Sequence, residues 1–305
     1  MSQGDRITAG IKAFARPYKL EKCVDALIDA GITNIRIGYD GPPSLKKKHM
    51  ELLENKDANI DIKEFSFNSG LARVRNYLVD DLETEYFLLL DDDQYVPENI
   101  LESLDILDVM NSIEGIGFPW ILKGRLSDLY AKVKKMLNAP CSLETGNFYH
   151  FPRTKVINLE NTNIPVTKDE VFILNAIENI KIATVNNHKY ALPFEYIPNS
   201  AIFRSSLFDK IRWDCNFIIG GEHQDFFYRA SRLGLKFGVS LDMFIIHDLG
   251  RDNKIRFNYE DYRYGRMEKE SNKYLLQKHN LWRFECDMMS TQLFRLRDFR
   301  KYIPR

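Results

Sequence analysis

The sequence predicts an α/β protein with a doubly wound, mostly parallel sheet. Through the first hundred residues, apolar segments of strand length alternate with amphipathic helices, an order typical of parallel sheets with right-handed crossovers. The run at 86–90 is apolar without a break, as expected for a strand covered on both faces. With 305 residues, of which 44% are hydrophobic, the chain can form one large domain or two closely joined ones.

The elements of the first half follow from the spacing of apolar residues. The helix predicted at 18–30 carries Leu20, Cys23 and Leu27 on one face, and Gly31 is suited to end it. The other predicted helices of this half are a short lysine-rich one between the second and third strands, one at about 70–80, and one after Pro97. The predicted strands are 6–13, 34–39, 60–65 and 86–90.

The second half is predicted to contain an inserted β-rich region and a helical C-terminal extension. The insertion covers 117–199 and includes one helix-like segment at 126–137. The sequence becomes regular again after residue 200, and it is aromatic, charged and partly helical towards the C-terminus. The elements predicted after residue 200 are strands at 201–205, 235–240 and 243–246 and a helix at 222–233.

Charge, cysteine content and hydropathy argue against several classes of protein. The formal net charge is zero, which gives no general electrostatic argument for nucleic acid or an anionic membrane as a partner. The four cysteines form no Cys-x-x-Cys pair, which argues against a zinc site and suits a reducing compartment. The N-terminus is polar, and no run approaches the roughly 18 apolar residues of a membrane span. We therefore expect a cytoplasmic protein.

Three consecutive carboxylates, Asp91, Asp92 and Asp93, follow directly on the apolar run at 86–90. Like charges this close repel one another unless a cation or hydrogen-bond donors gather around them. Hard oxygen ligands of this kind suit Mg²⁺ or Mn²⁺ together with a phosphate-bearing ligand. The alternative is a helix cap, but Pro97 favours the first helical position and predicts that the next helix begins near Val96, beyond the acids.

Further polar residues are expected at the same edge of the sheet. Asp40 follows the second strand, and parallel sheets bind ligands beyond the carboxyl ends of their strands. Asp40 and Asp91 are thus predicted to share one edge. His247 follows the strand predicted at 243–246, and imidazole is a competent ligand for Mn²⁺ beside carboxylates.

A second group of polar residues lies at a predicted helix start. Gly220 and Gly221 allow a tight turn or a close approach to a ligand, and Glu222, His223 and Asp225 follow them. Acids in a first helical turn are favoured by the helix dipole, so a capping motif explains them equally well. His223 adds a group that can accept a proton near neutral pH.

Five short motifs occur along the chain in an order that can be compared with that of known families. They are Ala13-Phe14-Ala15-Arg16-Pro17, Tyr39-Asp40-Gly41-Pro42, Asn68-Ser69-Gly70 with Val74-Arg75-Asn76, Asp91-Asp92-Asp93, and Gly221-Glu222-His223-Gln224-Asp225. This order resembles the inverting family-2 glycosyltransferases of the GT-A fold, over residues 6–105 and 200–250. The chain departs from that family at His223, where the family usually has its base aspartate, and the insertion has no counterpart.

The resemblance implies a GT-A-like fold and transfer of a sugar from a nucleoside diphosphate sugar, expected to be UDP-linked, to an acceptor hydroxyl with inversion. It implies an Mn²⁺ or Mg²⁺ ion held by Asp91, Asp93 and His247. His223 or Asp225 would be the general base, and Glu222 would orient the acceptor. The residues that it places at the donor nucleotide are Ala13, Phe14, Arg16, Asp40, Asn68, Arg75, Asp91 and Asp92.

The resemblance also implies that three parts of the chain have different roles. Residues 1–115 would bind the nucleotide sugar, 116–250 would bind the acceptor and contain the catalytic segment, and 251–305 would form the helical extension. The expected acceptor is a glycan, a lipid-linked glycan or another molecule with a free hydroxyl. The alternative is a hydroxylated base in DNA, with which the basic segment 295–305 is compatible.

Two other functions compete with sugar transfer. A nucleotidyltransferase also uses acids at strand ends, but it requires a glycine-rich phosphate loop after the first strand, and residues 12–18 contain no glycine. A non-catalytic module that binds nucleotide sugars would differ from an enzyme by releasing no UDP in the presence of an acceptor.

Overall fold

The computed structural model describes residues 2–118, 120–123, 148–150, 152–153, 184–185, 188–189, 192–194, 197–240, 243, 245–248, 266–279 and 287–288. The α-helices are α1 (Pro17–Asp29), α2 (Pro43–Leu53), α3 (Leu71–Leu78), α4 (Ser103–Val109), α5 (Leu207–Lys210), α6 (Glu222–Arg232) and α7 (Arg266–Lys278), and 3-10 turns lie at Gly4–Arg6 and Ile100–Glu102. The strands of the first half are β1 (Ile7–Ala13), β2 (Asn34–Tyr39), β3 (Asn59–Glu64), β4 (Tyr86–Asp91), β5 (Gln94–Tyr95), β6 (Gly115–Gly117) and β7 (Trp120–Lys123). The later strands are β8 (Phe148–His150), β9 (Pro152–Arg153), β10 (Thr184–Val185), β11 (His188–Lys189), β12 (Leu192–Phe194), β13 (Ala201–Arg204), β14 (Phe237–Val239), β15 (Ile245–Asp248) and β16 (Asp287–Met288).

The main sheet has eight strands in the order β12-β14-β6-β13-β4-β1-β2-β3. β4, β1, β2 and β3 pair in parallel, as do β6 and β14. β13 is antiparallel to both β4 and β6, and β12 is antiparallel to β14. The prediction of an α/β fold with a mostly parallel sheet is confirmed, and strands from both halves of the chain share that sheet.

A smaller sheet in the order β5-β15-β7-β8 lies next to the acidic residues. β15 pairs antiparallel with β5, with His247 opposite Gln94. The backbone N–H of Asp248 donates to the carbonyl of Asp93 at 2.8 Å. These pairings attach the downstream strand that carries His247 directly to the chain that leaves β4.

The core of the sheet is formed by central strands that are buried along most of their length. All seven residues of β1 are buried, and so are the first five of β4. Burying one large apolar side chain contributes about 1.5–3 kcal/mol, so these two central strands dominate the core. Gly10 is required between them, because a Cβ there would lie 2.3 Å from the ring of Phe87.

The structure corrects two of the predicted element boundaries. The helix after Pro97 does not begin near Val96: β5 ends at Tyr95, the backbone N–H of Ile100 donates to the carbonyl of Pro97 in a turn, a 3-10 turn starts at Ile100, and α4 starts at Ser103. His247 does not follow its strand but lies inside β15, because pairing with β5 and β7 extends that strand to Asp248. The predicted helix at 126–137 and most of the predicted insertion lie outside the described residues. Among the residues that are described, no helix combines the length and the apolar character needed to cross a membrane.

Candidate active site at the carboxyl edge of the sheet

The carboxyl ends of β1, β2 and β4 meet at one edge. Lys12 of β1 pairs in register with Asp91 on one side and with Gly38 on the other. The backbone N–H of Phe14, just beyond β1, donates to Asp92 Oδ2 at 3.1 Å. A Cβ at Gly41 would lie 1.7 Å from the carbonyl O of Phe14, so glycine is needed where β1 and β2 leave the sheet together. The structure thus places the predicted polar residues of the strand ends side by side.

Asp40 fixes the loop that carries Asn68. The Asp40 side chain is 1% exposed, its Oδ1 lies 2.8 Å from Lys12 Nζ, and its Oδ2 accepts the backbone N–H of Gly70 at 3.2 Å. Asn68, which has a φ of +56°, donates its backbone N–H to the Asp40 carbonyl at 2.8 Å. Lys12 was not predicted as a site residue, although a charged residue in a mostly apolar strand is a signal that could have indicated it.

Two aromatic rings line the rim above these strand ends. The rings of Phe14 and Phe67 are stacked with centroids 5.7 Å apart, and Lys12 Nζ lies 4.3 Å from the centroid of Phe14. Phe67 is 40% exposed, which is unusual for a phenylalanine. A planar ligand such as a nucleobase can pack against this face.

Arg16, from the turn before α1, binds two of the three consecutive acids. Its guanidinium forms ion pairs with Asp92 and with Asp93, and His247 Nε2 lies 3.4 Å from Asp93 Oδ2. Burial alone would raise the pKa of Asp93, but Arg16 and His247 outweigh it and hold this pKa well below its usual range. Asp93 is therefore a carboxylate at neutral pH.

Asp93, which also pairs with Arg16, and His247 are the two side chains of this edge that could hold a divalent ion. Asp93 Oδ1 and His247 Nδ1 are buried polar atoms without a hydrogen-bond partner, as expected where a further ligand contributes. Within the part of the chain that the structure describes, no three His, Cys, Asp or Glu side chains are arranged around a common point that could hold a metal. Two protein ligands are sufficient for an Mg²⁺ or Mn²⁺ ion that also binds phosphate oxygens.

Asp91 is directed to a different cation, Arg75. The Arg75 side chain is fully buried, with Nη1 3.0 Å from Glu222 Oε1 and Nη2 3.6 Å from Asp91 Oδ1. Glu222 itself is 4% exposed and its Oε2 has no hydrogen-bond partner. One buried guanidinium therefore joins the acidic strand end to the first residue of α6, and the two groups of polar residues form one site.

His223 is enclosed and uncharged at neutral pH. Its Nε2 lies 2.8 Å from the carbonyl of Ile197, which can only accept, so the neutral ring carries its proton on Nε2. Burial, and then the positive charge of Arg75, lower the pKa of His223 to about 3. A group with such a pKa is a weak proton acceptor at neutral pH.

This pKa leads to a prediction about stability. The folded pKa of His223 lies below its unfolded value of 6.5, so its contribution to stability is present above pH 6.5 and is lost as the pH falls towards 3. At about pH 5 we expect a loss of about 2 kcal/mol in the free energy of unfolding. Urea unfolding at about pH 7 and pH 5 measures it, and His223→Gln should lack this part of the pH dependence. An equal pH dependence in the variant would contradict the prediction.

Asp225 is surrounded by three hydrogen-bond donors, two of them the cations Arg229 and Lys278. Its side chain has no exposed surface, Oδ2 accepts from Arg229 Nε at 2.8 Å, and Oδ1 lies 2.7 Å from both Lys278 Nζ and His279 Nε2. Its oxygens are thus occupied by α6 itself and by the end of α7. Lys278 and His279 were not predicted from the sequence, since nothing local relates them to residues about fifty positions away.

Comparison with known proteins gives separate evidence on the fold. No family model matches the sequence, and no curated protein matches it. Similar solved structures include GalNAc-T7 with UDP, GalNAc and Mn²⁺, with a TM-score of 0.59 and 12% identity over 89% of this chain and 47% of that chain. They also include the mannosyltransferase PcManGT from Pyrobaculum calidifontis in complex with GDP-Man and Mn²⁺ (TM-score 0.49, 11% identity, 79% of this chain and 56% of that one). S. aureus TarS 1-349 in complex with UDP-GlcNAc has a TM-score of 0.49 at 14% identity, over 90% of this chain and 72% of that one.

These similarities concern the fold. This chain spans about half the length of GalNAc-T7, 47% of it, at an identity of only 12%. The fold of these structures is nevertheless the one that the order of the sequence motifs indicated. The chain has the GT-A fold of glycosyltransferases.

Proposed function

We propose that this protein is a metal-dependent glycosyltransferase that moves a sugar from a nucleoside diphosphate sugar, UDP-linked, to an acceptor hydroxyl with inversion. The observation that carries the proposal is the buried Arg75, which contacts both Asp91 at the acidic strand end and Glu222 at the start of α6. A donor-binding edge and an acceptor-binding turn thereby share one site. The binding of UDP, GalNAc and Mn²⁺ by GalNAc-T7, which has the same fold, supports the donor class.

The donor side of the site is formed by residues 1–115. The stacked Phe14 and Phe67 rings offer a face for the base, and the loop that Asp40 holds, with Asn68, borders the ribose. Arg16 and Lys12 provide positive charge near the diphosphate, which strengthens the binding of an anion at a strand end. Residues 116–250 supply Glu222 and His223 on the acceptor side, and 251–305 supply α7.

Asp93 and His247 would hold the divalent ion. When bound, such an ion neutralises the charge that develops on the leaving diphosphate. Arg16, which is paired with Asp92 and Asp93, would stabilise the same developing charge from the protein side. Arg75 keeps Asp91 and Glu222 oriented.

Glu222 is the side chain best placed to accept the proton of the acceptor hydroxyl. Its Oε1 is fixed by Arg75 and its Oε2 is without a partner, so a hydroxyl that donates to Oε2 removes the cost of an unsatisfied buried oxygen. The sequence offers His223 and Asp225 as bases, but His223 is a weak proton acceptor and Asp225 is bound by three donors.

This assignment predicts unequal effects of three substitutions. Glu222→Gln keeps the shape and the contact to Arg75 but removes the base, so we expect kcat to fall about 10²–10⁴-fold with little change in the Kd for UDP. His223→Gln and Asp225→Asn should each reduce kcat less. Initial rates at saturating donor measure this. If His223→Gln or Asp225→Asn reduces kcat more than Glu222→Gln does, the proton acceptor is not Glu222.

A donor screen tests the function as a whole. Calorimetric titration of the protein with UDP, GDP and their sugar conjugates, each with and without Mn²⁺, should show binding that depends on the metal. The donor that binds best is then incubated with glycan, lipid-linked and hydroxylated DNA acceptors, and UDP release is measured. Binding without UDP release for every acceptor would indicate a module that binds nucleotide sugars, and no binding of any nucleotide would refute the proposal.

A further inference from the structure

The C-terminal helix α7 is attached to the segment that leads into α6. Tyr274 OH donates to Asp214 Oδ2 at 3.0 Å and lies 3.2 Å from Asn216 Nδ2. The rings of Phe217 and Tyr274 meet edge to face with centroids 4.9 Å apart. These contacts bring one face of α7 against residues 214–217, a few positions before Glu222.

Lys278 contacts an aspartate at each end of residues 214–225. Its Nζ lies 2.7 Å from Asp214 Oδ2 and 2.7 Å from Asp225 Oδ1. Lys278 is 22% exposed at its side chain, whereas Asp225 has no exposed side-chain surface. An ammonium between two carboxylates, one of them fully desolvated, is held more strongly than an exposed surface pair.

Two glycines form the turn between these two acids, and the carbonyl of Ile218 just before them accepts the backbone N–H of Leu71. Gly220 and Gly221 have φ values of +78° and +83°, and glycine loses more conformational freedom on folding than any other residue. Gly221 is the N-cap of α6 and provides no side-chain hydrogen bond to the helix. A Cβ at Gly221 would lie 3.5 Å from the carbonyl O of Ser271 in α7, so α7 also packs against the turn itself.

We propose that Lys278 is a positioning residue for the active site, and this rests on the proposed function. By bridging Asp214 and Asp225, it holds the Gly220-Gly221 turn in the one conformation that presents Glu222 to Arg75. The donor side chains are held by other groups, Lys12 on Asp40 and Arg16 on Asp93. Loss of the bridge should therefore affect the transfer step and leave donor binding intact.

The test compares Lys278→Met, which keeps the length of the side chain and removes its charge, with Lys273→Met, which alters an exposed lysine of the same helix. Hydrogen exchange of the backbone amides at 214–225 should become at least about tenfold faster in Lys278→Met and stay unchanged in Lys273→Met. A small displacement of a catalytic group costs up to about 10²-fold in rate, so we expect kcat to fall about 10- to 100-fold with the Kd for UDP within about twofold. Lys278→Arg should restore most of both losses.

The outcomes separate the two proposals. If exchange at 214–225 becomes faster in Lys278→Met but the unmodified protein transfers no sugar from any donor, Lys278 orders the turn while the proposed function, and with it the catalytic part of the positioning role, is refuted. Unchanged exchange at 214–225, or unchanged kcat in an active enzyme, would overturn the positioning role. Faster exchange throughout the chain would also count against it, because the bridge would then support the whole fold. His279→Gln, which alters the other 2.7 Å contact to the same Asp225 oxygen but leaves the Lys278 bridge in place, is expected to show the same pattern to a smaller degree.

Discussion

Replacing Asp93 by asparagine is expected to lower sugar transfer about 10²–10³-fold, the effect of removing one group that stabilises developing charge. The substitution keeps the shape of a side chain that is 3% exposed, so the fold should persist. It removes the negative charge that Arg16 and His247 stabilise, and with it the anionic ligand for a divalent ion. Steady-state rates at saturating donor measure the loss.

The same variant should bind Mn²⁺ more weakly when no reaction takes place. Electron paramagnetic resonance of Mn²⁺ in the presence of UDP reports the free ion and so gives this affinity without any turnover. Asp57→Asn, at an exposed residue outside the site, is the matched control and should behave as the unmodified protein does. Wild-type Mn²⁺ affinity together with wild-type turnover in Asp93→Asn would exclude Asp93 as a ligand.

Replacing Arg75 by methionine is expected to destabilise the protein by about 3–5 kcal/mol, the usual cost of removing one partner of a buried ion pair. Arg75 has no exposed surface, and its loss leaves Glu222 and Asp91 without their common cation. Urea unfolding measures the difference in the free energy of unfolding. Arg73→Met, at an exposed position of the same helix, should change stability by less than about 0.5 kcal/mol.

A double substitution identifies the physical cause of that loss. If the cost arises from an uncompensated carboxylate, Arg75→Met combined with Glu222→Gln should be less destabilising than the sum of the two single variants, by about 0.5–3 kcal/mol. Strictly additive effects would show that Arg75 stabilises the fold by packing its side chain, and that the ion pair with Glu222 contributes little.

The parallel part of the fold was predictable because its signals are local. The predicted strand at 34–39 is the observed β2 (Asn34–Tyr39), and the observed α1 (Pro17–Asp29) lies within one residue of its predicted start and end. Apolar periodicity and turn residues determine such elements from neighbours in the chain. The helix after Pro97 was predicted to begin too early, because the strand pairing of Gln94 and Tyr95 with β15 is a tertiary contact that local signals do not show.

The sequence alone determined which polar side chains lie at the sheet edge. Three acids after a buried strand, an acid after a neighbouring strand, and a Gly-Gly-Glu turn are local patterns, and parallel pairing brings strand ends together wherever they lie in the chain. The order of these motifs was sufficient to indicate the GT-A fold.

Only the tertiary structure decided how the charged groups are paired. Arg75 meets Glu222 across 147 positions and Arg16 meets Asp93 across 77, and Lys278 occupies one oxygen of the Asp225 carboxylate that the sequence offered as a base. Burial determines these pairs, because a charged side chain that is removed from water is stable only beside an opposite charge. The fold determines which opposite charge lies within reach. The spacing of these residues along the chain does not predict which of them form pairs.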